Sequence, residues 1–400
     1  MKGGDAGMAL KGTNQEYGRP YNRRLVLETI RLLAPVARGE IAKRVGLTVQ
    51  TVSTIIRELE LQGFVRGVRE TPKGRGLPPT SLNINPDGGY AIGVHVTPVG
   101  LKAALINLSG DVIDERERAL PQASPDRAFR EIEKLVAGLR KPRPRGRMLG
   151  IGLALPGPFD VESMSFVGPT TLEGWKGVPI RDRLTKLTGL PAFIEADLAA
   201  AALGERLYGA GRDLREFYYL YFGVGLGGCL VREGAPVRGA FGNAGEIGHV
   251  PLVPNGEPCP CGNRGCLERY LSLEAMERRS AAIGTERWIA EAAPLLRSAI
   301  VTIENLFDPE TIILGGSAED SLLTRLLAAA EPLAHSVSER GGRGAPRIMR
   351  SKDGGNAVLR GAAALAVAGV LSPRSGSLFA QDEDDTPDPA RRSGKRTEAA

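Results

Sequence analysis

The side chains best suited to chemistry in this 400-residue chain are one histidine and three cysteines close together in the sequence: His249, Cys259, Cys261 and Cys266. One imidazole and three thiolates form a donor set that suits tetrahedral Zn²⁺. Proline and glycine residues between the cysteines permit the tight turns that would bring the ligands together. Four protein ligands leave no open coordination position, so the pattern predicts a structural zinc. The alternative is unligated thiols in a surface loop.

The fourth cysteine, Cys229, lies in an apolar stretch and is predicted to be a core residue. Four cysteines in 400 residues do not form a disulfide framework. The longest apolar runs are too short or too rich in Gly and Ala to span a bilayer, and the first residues lack the apolar core of a signal peptide. We therefore expect a cytoplasmic protein without a membrane partner.

A second group of chemically useful side chains lies near the start of a helix predicted over residues 48–62. Its apolar residues recur at helical spacing, which leaves the opposite face exposed. That face carries Gln50, Thr51, Ser53, Thr54 and Arg57. Gln can pair with adenine, Arg with guanine or phosphate, and Ser and Thr with base edges or phosphates. These residues are predicted to contact DNA.

The elements around this helix predict a winged helix-turn-helix over residues 21–85. A first helix is expected to begin after Asn22 as N-cap, and Gly46 ends a short second helix before Thr48 caps the third. Residues 64–69 and 80–84 are predicted strands joined by a basic turn. Lys73 and Arg75 in that turn are predicted to contact the minor groove or the DNA backbone. A protein-interaction module is the alternative.

The distribution of charge agrees with a DNA-binding head. The whole chain carries +6, yet residues 1–85 hold 14 Lys and Arg against 7 Asp and Glu, so the remainder is nearly neutral. This asymmetry favours a polyanion partner, double-stranded DNA, for the first fifth of the chain, with a solvated basic terminus as the alternative. Residues 1–20 and 373–400 are predicted to be disordered.

Residues 88–372 read as an α/β body because apolar strands alternate with amphipathic helices. The predicted strands are 91–96, 102–107, 148–155, 217–222, 228–231 and 311–314. The predicted helices are 125–139, 180–187, 198–208, 273–282 and 288–306.

The segment Gly239-Ala-Phe-Gly-Asn-Ala-Gly-Glu-Ile-Gly-His249, followed by Cys259-Pro-Cys-Gly-Asn-Arg-Gly-Cys266-Leu-Glu268, resembles the signature of the ROK family. This family groups bacterial sugar-responsive repressors with sugar kinases. The resemblance spans roughly residues 22 to 371. The N-terminal helices, the wing and the segment Leu82-Asn-Ile-Asn-Pro86 resemble the repressor branch, because kinases of the family lack this head.

The resemblance implies a body with an actin-like ATPase fold, in which two α/β lobes enclose a sugar cleft, and assembly into homodimers or homotetramers. It places sugar contacts at Asp197, Glu246, His249 and Glu268. Such contacts are physically reasonable, since carboxylates accept hydrogen bonds from hydroxyls and a zinc-bound imidazole can donate from its other nitrogen. Asp197 matches the position that serves the kinases as general base.

Departures from the family pattern argue against catalysis. Ala196 stands where the family usually has a sugar-binding Asn. In the first phosphate loop, over residues 93–99, His95 replaces an acid and Pro98 removes a backbone donor. Val224 replaces a Thr in the second loop, although that loop keeps its glycines. We therefore expect no kinase activity, with Asp197 accepting a ligand hydroxyl and His95 satisfied by local contacts.

The leading hypothesis is a sugar-responsive DNA-binding regulator that represses carbohydrate uptake or catabolism genes and binds a sugar or sugar phosphate. One alternative is a bifunctional ATP-dependent sugar kinase with a DNA-binding head. Another is a constitutive DNA-binding protein with a vestigial body, which Ala196 motivates.

Overall fold

The computed structural model describes residues 18–69, 80–140, 146–157, 159–160, 165–166, 172–342, 344–352 and 356–371. Within them the chain forms two compact units that meet in sequence at Gly88 and Gly89. We call residues 18–88 the head and residues 89–367 the body.

The head consists of three helices and a two-stranded antiparallel hairpin: α1 (Arg19–Leu33), α2 (Arg38–Val45), α3 (Val49–Leu61), β1 (Val65–Arg69) and β2 (Thr80–Ile84). Gly46 ends α2 in the left-handed conformation. The Thr48 hydroxyl accepts a hydrogen bond from the Thr51 N–H and caps α3. These elements confirm the predicted winged helix-turn-helix.

The prediction that Asn22 caps the first helix is wrong. Helix α1 begins at Arg19, with Gly18 as N-cap, and Asn22 is buried inside the helix. Pro20 lies in the first turn, where its fixed φ suits the helix and its missing N–H has no partner to lose. The proline sets the start of the helix, and the capping ability of Asn22 is not used.

The first sheet of the body has five strands in the order β5-β4-β3-β6-β9. The strands are β3 (Gly89–Thr97), β4 (Gly100–Asn107), β5 (Val112–Ala119), β6 (Arg147–Leu155) and β9 (Ala192–Ala196). Strands β3, β4 and β5 form an antiparallel meander, whereas β3, β6 and β9 are parallel. Helices α4 (Pro125–Leu139) and α5 (Ile180–Thr188) bury their apolar faces with this sheet in one core. A short pair, β7 (Phe159–Asp160) and β8 (Ser165–Phe166), follows β6.

The second sheet has five strands in the order β12-β11-β10-β13-β14. They are β10 (Glu216–Phe222), β11 (Leu226–Arg232), β12 (Ala235–Pro236), β13 (Ile312–Gly316) and β14 (Ile348–Arg350). Helices α7 (Leu273–Ile283), α8 (Thr285–Phe307) and α9 (Asp320–Ala330) accompany this sheet, and residues of α8 and α9 share its core around Trp288. The two sheets with their helices confirm the predicted α/β body of two lobes.

Helices α6 (Asp197–Tyr208) and α10 (Ala357–Leu371) carry small residues that pack against both sheets. Glycines in the strands make this close approach possible. A Cβ on Gly93 of β3 would lie 2.1 Å from the Leu359 carbonyl oxygen, and one on Gly152 of β6 would lie 1.7 Å from that of Ala362. These two glycines therefore serve the packing of α10.

None of the described helices combines the length and apolar character needed to cross a membrane.

Candidate functional site

The predicted metal ligands converge in the structure. One donor atom from each of His249, Cys259, Cys261 and Cys266 lies within 4.8 Å of the others. The His249 Nδ1 atom is 3.6 Å from the Cys259 sulfur, and the Cys261 and Cys266 sulfurs are 3.6 Å apart. This arrangement could hold a metal ion, since soft thiolate and imidazole donors surround one point.

A tight loop brings the cysteines to this point. The Cys259 N–H donates to the Asn263 carbonyl at 2.8 Å, and the Gly262 N–H donates back to the Cys259 carbonyl at 3.0 Å. Isolated β-bridges join Pro258 with Arg264 and Pro251 with Cys266. The loop is therefore closed by backbone hydrogen bonds, which fix the cysteines before any metal binds.

The three thiols differ in environment. A backbone hydrogen bond from Asn263 lowers the pKa of the exposed Cys261 to about 7. Burial raises the pKa of Cys266 to about 12 and also raises that of Cys259. A bound cation would favour the thiolate form of all three.

His249 links this cluster to a group of carboxylates. Its Nδ1 atom faces Cys259, whereas its Nε2 atom lies 3.8 Å from a carboxylate oxygen of Glu246. A metal on the Nδ1 side would fix the orientation of the ring and leave Nε2 toward Glu246.

The glycines flanking Glu246 allow this turn to lie against β11. Gly245 has φ of +106°, and a Cβ on it would lie 1.9 Å from the Gly228 carbonyl oxygen. A Cβ on Gly248 would lie 2.0 Å from the Leu226 carbonyl oxygen. The two glycines of the Gly-Glu-Ile-Gly-His motif thus let its backbone lie close to β11, which places Glu246 and His249 beside the strand.

The four residues predicted to bind sugar lie together. Burial raises the pKa of Glu246, and the nearby carboxylates of Glu268 and Asp197 raise it further, whereas His249 lowers it. Glu268 accepts a hydrogen bond from the Leu226 N–H at 2.9 Å. Asp197, the first residue of α6, accepts one from the Leu198 N–H at 2.8 Å. Carboxylates so grouped provide acceptors for a ligand that carries several hydroxyl groups.

The expectation that His95 is satisfied by local contacts is wrong for one of its nitrogens. His95 is buried near the end of β3, and its Nε2 atom has no hydrogen-bond partner among the described residues. The nearest charged group is Asp197, with Nε2 and Oδ2 3.8 Å apart. Sequence reasoning missed this juxtaposition because it depends on the pairing of β3, β6 and β9.

Two further groups near the carboxylates were not predicted. Arg238 forms an ion pair with Glu195, which precedes Ala196 at the end of β9. Tyr221 of β10 is buried, and burial together with the nearby charge of Asp197 raises its pKa. The Arg238 guanidinium is therefore committed to Glu195, and Tyr221 forms part of the surroundings of Asp197.

The segment that aligns with a phosphate loop forms a strand and a tight hairpin turn. Thr97 of β3 pairs with Gly100 of β4, so Pro98 and Val99 form the turn. The Val99 carbonyl accepts a hydrogen bond from the Leu120 N–H at 3.0 Å. Pro98 has no N–H to offer a ligand here.

Four of the five polar residues predicted on the exposed face of α3 are exposed. Gln50, Thr51, Thr54 and Arg57 are exposed and Ser53 is half-buried, whereas Val52, Ile55, Ile56 and Leu59 are buried. Lys73 and Arg75 lie outside the described residues.

The exposed side chains of α3 differ in the hydrogen bonds they make within the protein. The Thr54 hydroxyl donates to the Gln50 carbonyl at 3.2 Å, and the Thr51 hydroxyl is 2.8 Å from that of Thr48. The side chain of Arg57 makes no hydrogen bond or ion pair with the described residues. Arg66 of β1 is also exposed and adds a cation that sequence reasoning did not select.

Comparison with known proteins extends these observations. The ROK family matches residues 91–368, and a winged helix-turn-helix DNA-binding domain matches residues 21–66. The xylose repressor of Caldicellulosiruptor bescii is 31% identical over 340 residues, which cover 75% of this chain and 84% of the repressor.

Two solved structures resemble this one. A ROK family transcriptional regulator, a homologue of the Escherichia coli Mlc protein, matches with a TM-score of 0.71 at 22% identity, over 89% of this chain and 97% of its own. The ROK hexokinase of Thermus thermophilus matches with a TM-score of 0.58 at 28% identity, over 70% of this chain and 99% of its own. These matches confirm the predicted fold, a winged helix-turn-helix followed by a two-lobed actin-like body. The chain therefore belongs to the ROK family.

Proposed function

We propose that this chain is a sugar-responsive transcriptional repressor of carbohydrate uptake or catabolism genes. The observation that carries the proposal is that one chain joins a winged helix-turn-helix to a body that groups Asp197, Glu246, His249 and Glu268. A relative that covers both parts is a xylose repressor. A ligand that binds one arrangement of the body better than another would change operator affinity.

In this proposal α3 is the recognition helix. Gln50 and Arg57 are the strongest candidates for base contacts, because their side chains are exposed and long enough to reach a groove. Thr51, Ser53 and Thr54 supply shorter contacts, and Lys73 and Arg75 remain predicted backbone or minor-groove contacts. Since one head reads one half-site, the proposal includes a homodimer or homotetramer, which sedimentation velocity of the full chain would test.

We expect the Arg57→Ala substitution to weaken binding to an operator selected from random duplexes by about 1–3 kcal/mol, because one good base contact is lost. Affinity for a scrambled duplex should change much less. Fluorescence anisotropy at fixed salt measures both. The control is Arg130→Ala, which removes the same charge from an exposed position on α4. Equal losses on operator and scrambled DNA would show that Arg57 contacts phosphate only.

The body is proposed to bind the sugar through Asp197, Glu246 and Glu268 as hydroxyl acceptors and His249 as a donor from Nε2. The metal is proposed to be a structural Zn²⁺ on His249, Cys259, Cys261 and Cys266. Bound zinc would stabilise the loop and fix the His249 ring, which couples the metal to ligand binding. The side chains of the carboxylates then complete the sugar site.

We expect at least one monosaccharide to lower operator affinity in a gel-shift titration at fixed salt. In the Glu246→Gln variant, the sugar concentration needed should rise roughly 10- to 100-fold, because a hydrogen bond to a charged group is weakened. Glu115→Gln is the control, since it removes the same charge from an exposed position on β5. If no sugar or sugar phosphate alters operator affinity, the vestigial-body hypothesis replaces this proposal.

The bifunctional kinase remains the competing function because a hexokinase shares the body fold. The proposal excludes it because Pro98 and Val99 form a two-residue turn that cannot surround a phosphate with backbone donors. Asp197 is accordingly a hydroxyl acceptor and has no catalytic role. Sugar-dependent ATP turnover by the purified chain that disappears in Asp197→Asn would establish the kinase.

A further inference from the structure

His95 lies where three parallel strands of the first sheet end. It pairs with Ala154 of β6, and β6 pairs with β9 up to Ala196. Asp197 follows at the first position of α6. The carboxyl ends of parallel strands meet at one edge of a sheet, a common location for ligand sites. The topology thus brings the His95 imidazole and the Asp197 carboxylate to this edge from distant parts of the sequence.

The imidazole is buried but incompletely satisfied. The His95 side chain is 10% exposed, and its Nε2 atom has no hydrogen-bond partner among the described residues. Buried polar atoms without partners are uncommon in folded proteins and indicate strain or a missing ligand. Asp197 uses Oδ1 for the Leu198 N–H and directs Oδ2 toward Nε2 at 3.8 Å.

The separation of these two atoms fits a hydroxyl group. At 3.8 Å, Nε2 and Oδ2 are too far apart for a direct hydrogen bond, but one oxygen can lie about 2.8 Å from each. A hydroxyl group can donate a hydrogen bond to a carboxylate and at the same time accept a hydrogen bond from an imidazole N–H. Donor and acceptor therefore complement each other on a single group.

The surrounding charges favour an uncharged ligand over a phosphorylated one. Glu246 and Glu268 add two carboxylates to the surroundings of Asp197. Glu268 accepts a hydrogen bond from the Leu226 N–H of β11, and Gly245, which precedes Glu246, accepts one from the Gly228 N–H of the same strand. The Leu198 side chain, next to Asp197, lies against Gly227 between them. Arg238, a nearby cation, is committed to Glu195. A phosphoryl group beside Asp197 would meet negative charge, whereas a hydroxyl would not.

We propose that His95 is a ligand-binding residue that, together with Asp197, holds one hydroxyl group of an unphosphorylated sugar. The assignment rests on the proposed function and makes it more specific. It gives His95 a direct contact with the ligand and selects the free sugar as effector.

Isothermal titration of the zinc-loaded full-length chain with a panel of monosaccharides, their monodeoxy analogues and their phosphates tests the assignment. We expect a free sugar to bind the wild type best, and His95→Leu to bind it at least 10-fold more weakly. One monodeoxy analogue should bind the wild type at least 10-fold more weakly than the parent sugar. That analogue should bind His95→Leu and the wild type about equally well, because it lacks the hydroxyl group that His95 is proposed to bind.

The control is His335→Leu, which removes a fully exposed histidine elsewhere in the body and should leave affinity unchanged. His95→Gln, which keeps a side-chain N–H donor, should recover part of the affinity. Unfolding temperatures of the variants identify any loss that comes from misfolding.

Four results would overturn the assignment. Unchanged sugar affinity in His95→Leu would remove His95 from the site while leaving the proposed function intact. Equal weakening of the parent sugar and every deoxy analogue would show a role in positioning Asp197 only. Preferential binding of a phosphorylated sugar would contradict the assignment of an unphosphorylated sugar as the ligand. Absence of binding by any of these ligands to the wild type would instead refute the proposed function, and this assignment with it.

Discussion

Replacing Cys261 with serine is expected to abolish stoichiometric zinc binding and to lower the thermal stability of the body. Cys261 is the exposed member of the cluster, so its substitution changes little packing. The loss must therefore arise from the missing thiolate. Structural zinc binds zinc-finger peptides with an apparent free energy of about 10–16 kcal/mol, and His249 with the three cysteines offers the same kind of ligand set.

The consequence should extend to the sugar site. The His249 ring contacts the cluster through Nδ1 and faces Glu246 through Nε2. Without metal the ring loses one of its two fixed neighbours, so sugar-dependent release of operator should weaken together with the loss of zinc. Operator affinity in the absence of sugar should not change.

Elemental analysis of the purified chain and thermal unfolding with and without chelator measure these effects. Cys229→Ala is the matched control, because Cys229 is buried in β11, away from the cluster. It should retain one zinc per chain, and its unfolding temperature should still fall when chelator is added. The proposed metal site would be contradicted if purified wild-type protein contained no zinc, or if Cys261→Ser protein contained one zinc per chain.

The clustering of His249 with the three cysteines could be predicted from the sequence because these residues are close together in the chain. All four occur between positions 249 and 266, and their residue types already define the chemistry. The fold of the head could also be predicted from the sequence. Gly46 marks the end of α2, Thr48 marks the start of α3, and α3 has one apolar face. Local signals of this kind carry their own structural meaning.

Elements that depend on tertiary context were not predicted. Strand β5, residues Val112–Ala119, is rich in charged residues and mostly exposed, so its sequence shows no apolar alternation. It exists because it pairs with β4 at the edge of the sheet. Helix α10 has the opposite character, since it is apolar except for Arg360 and lacks the periodicity of an amphipathic helix.

The pairing of His95 with Asp197 shows the same limit within the site. Neither residue type nor spacing connects them, and only the order β3-β6-β9 brings them to one edge. The family pattern identified Asp197 but offered no partner for the histidine. A residue that departs from a family pattern is best interpreted after its three-dimensional neighbours are known.

Arg347→Met is expected to lower the free energy of unfolding by about 3–5 kcal/mol, because it removes the guanidinium that donates to the buried Glu304 carboxylate. Glu304 of α8 is fully buried, and Arg347 donates to both of its carboxylate oxygens, at 2.9 and 2.6 Å. This hydrogen bonding raises the pKa of Arg347. Arg347 also donates to the Ala334 carbonyl at 2.8 Å, so it joins three segments of the second lobe.

A second ion pair provides the control. Arg232 donates to both carboxylate oxygens of Glu216 with nearly the same geometry, at 2.9 and 2.7 Å, but its side chain is 54% exposed. Arg232→Met should therefore change the free energy of unfolding far less than Arg347→Met does, because solvent screens the exposed pair. The double variant Glu304→Leu, Arg347→Met should recover much of the stability lost in Arg347→Met, since the buried carboxylate is removed together with its guanidinium partner. Chemical denaturation of the wild type, the two single variants and the double variant measures these free energies of unfolding. Equal losses of stability in Arg347→Met and Arg232→Met would show that burial of the ion pair contributes nothing. If the double variant is no more stable than Arg347→Met, the loss comes from packing and not from the buried Glu304 charge.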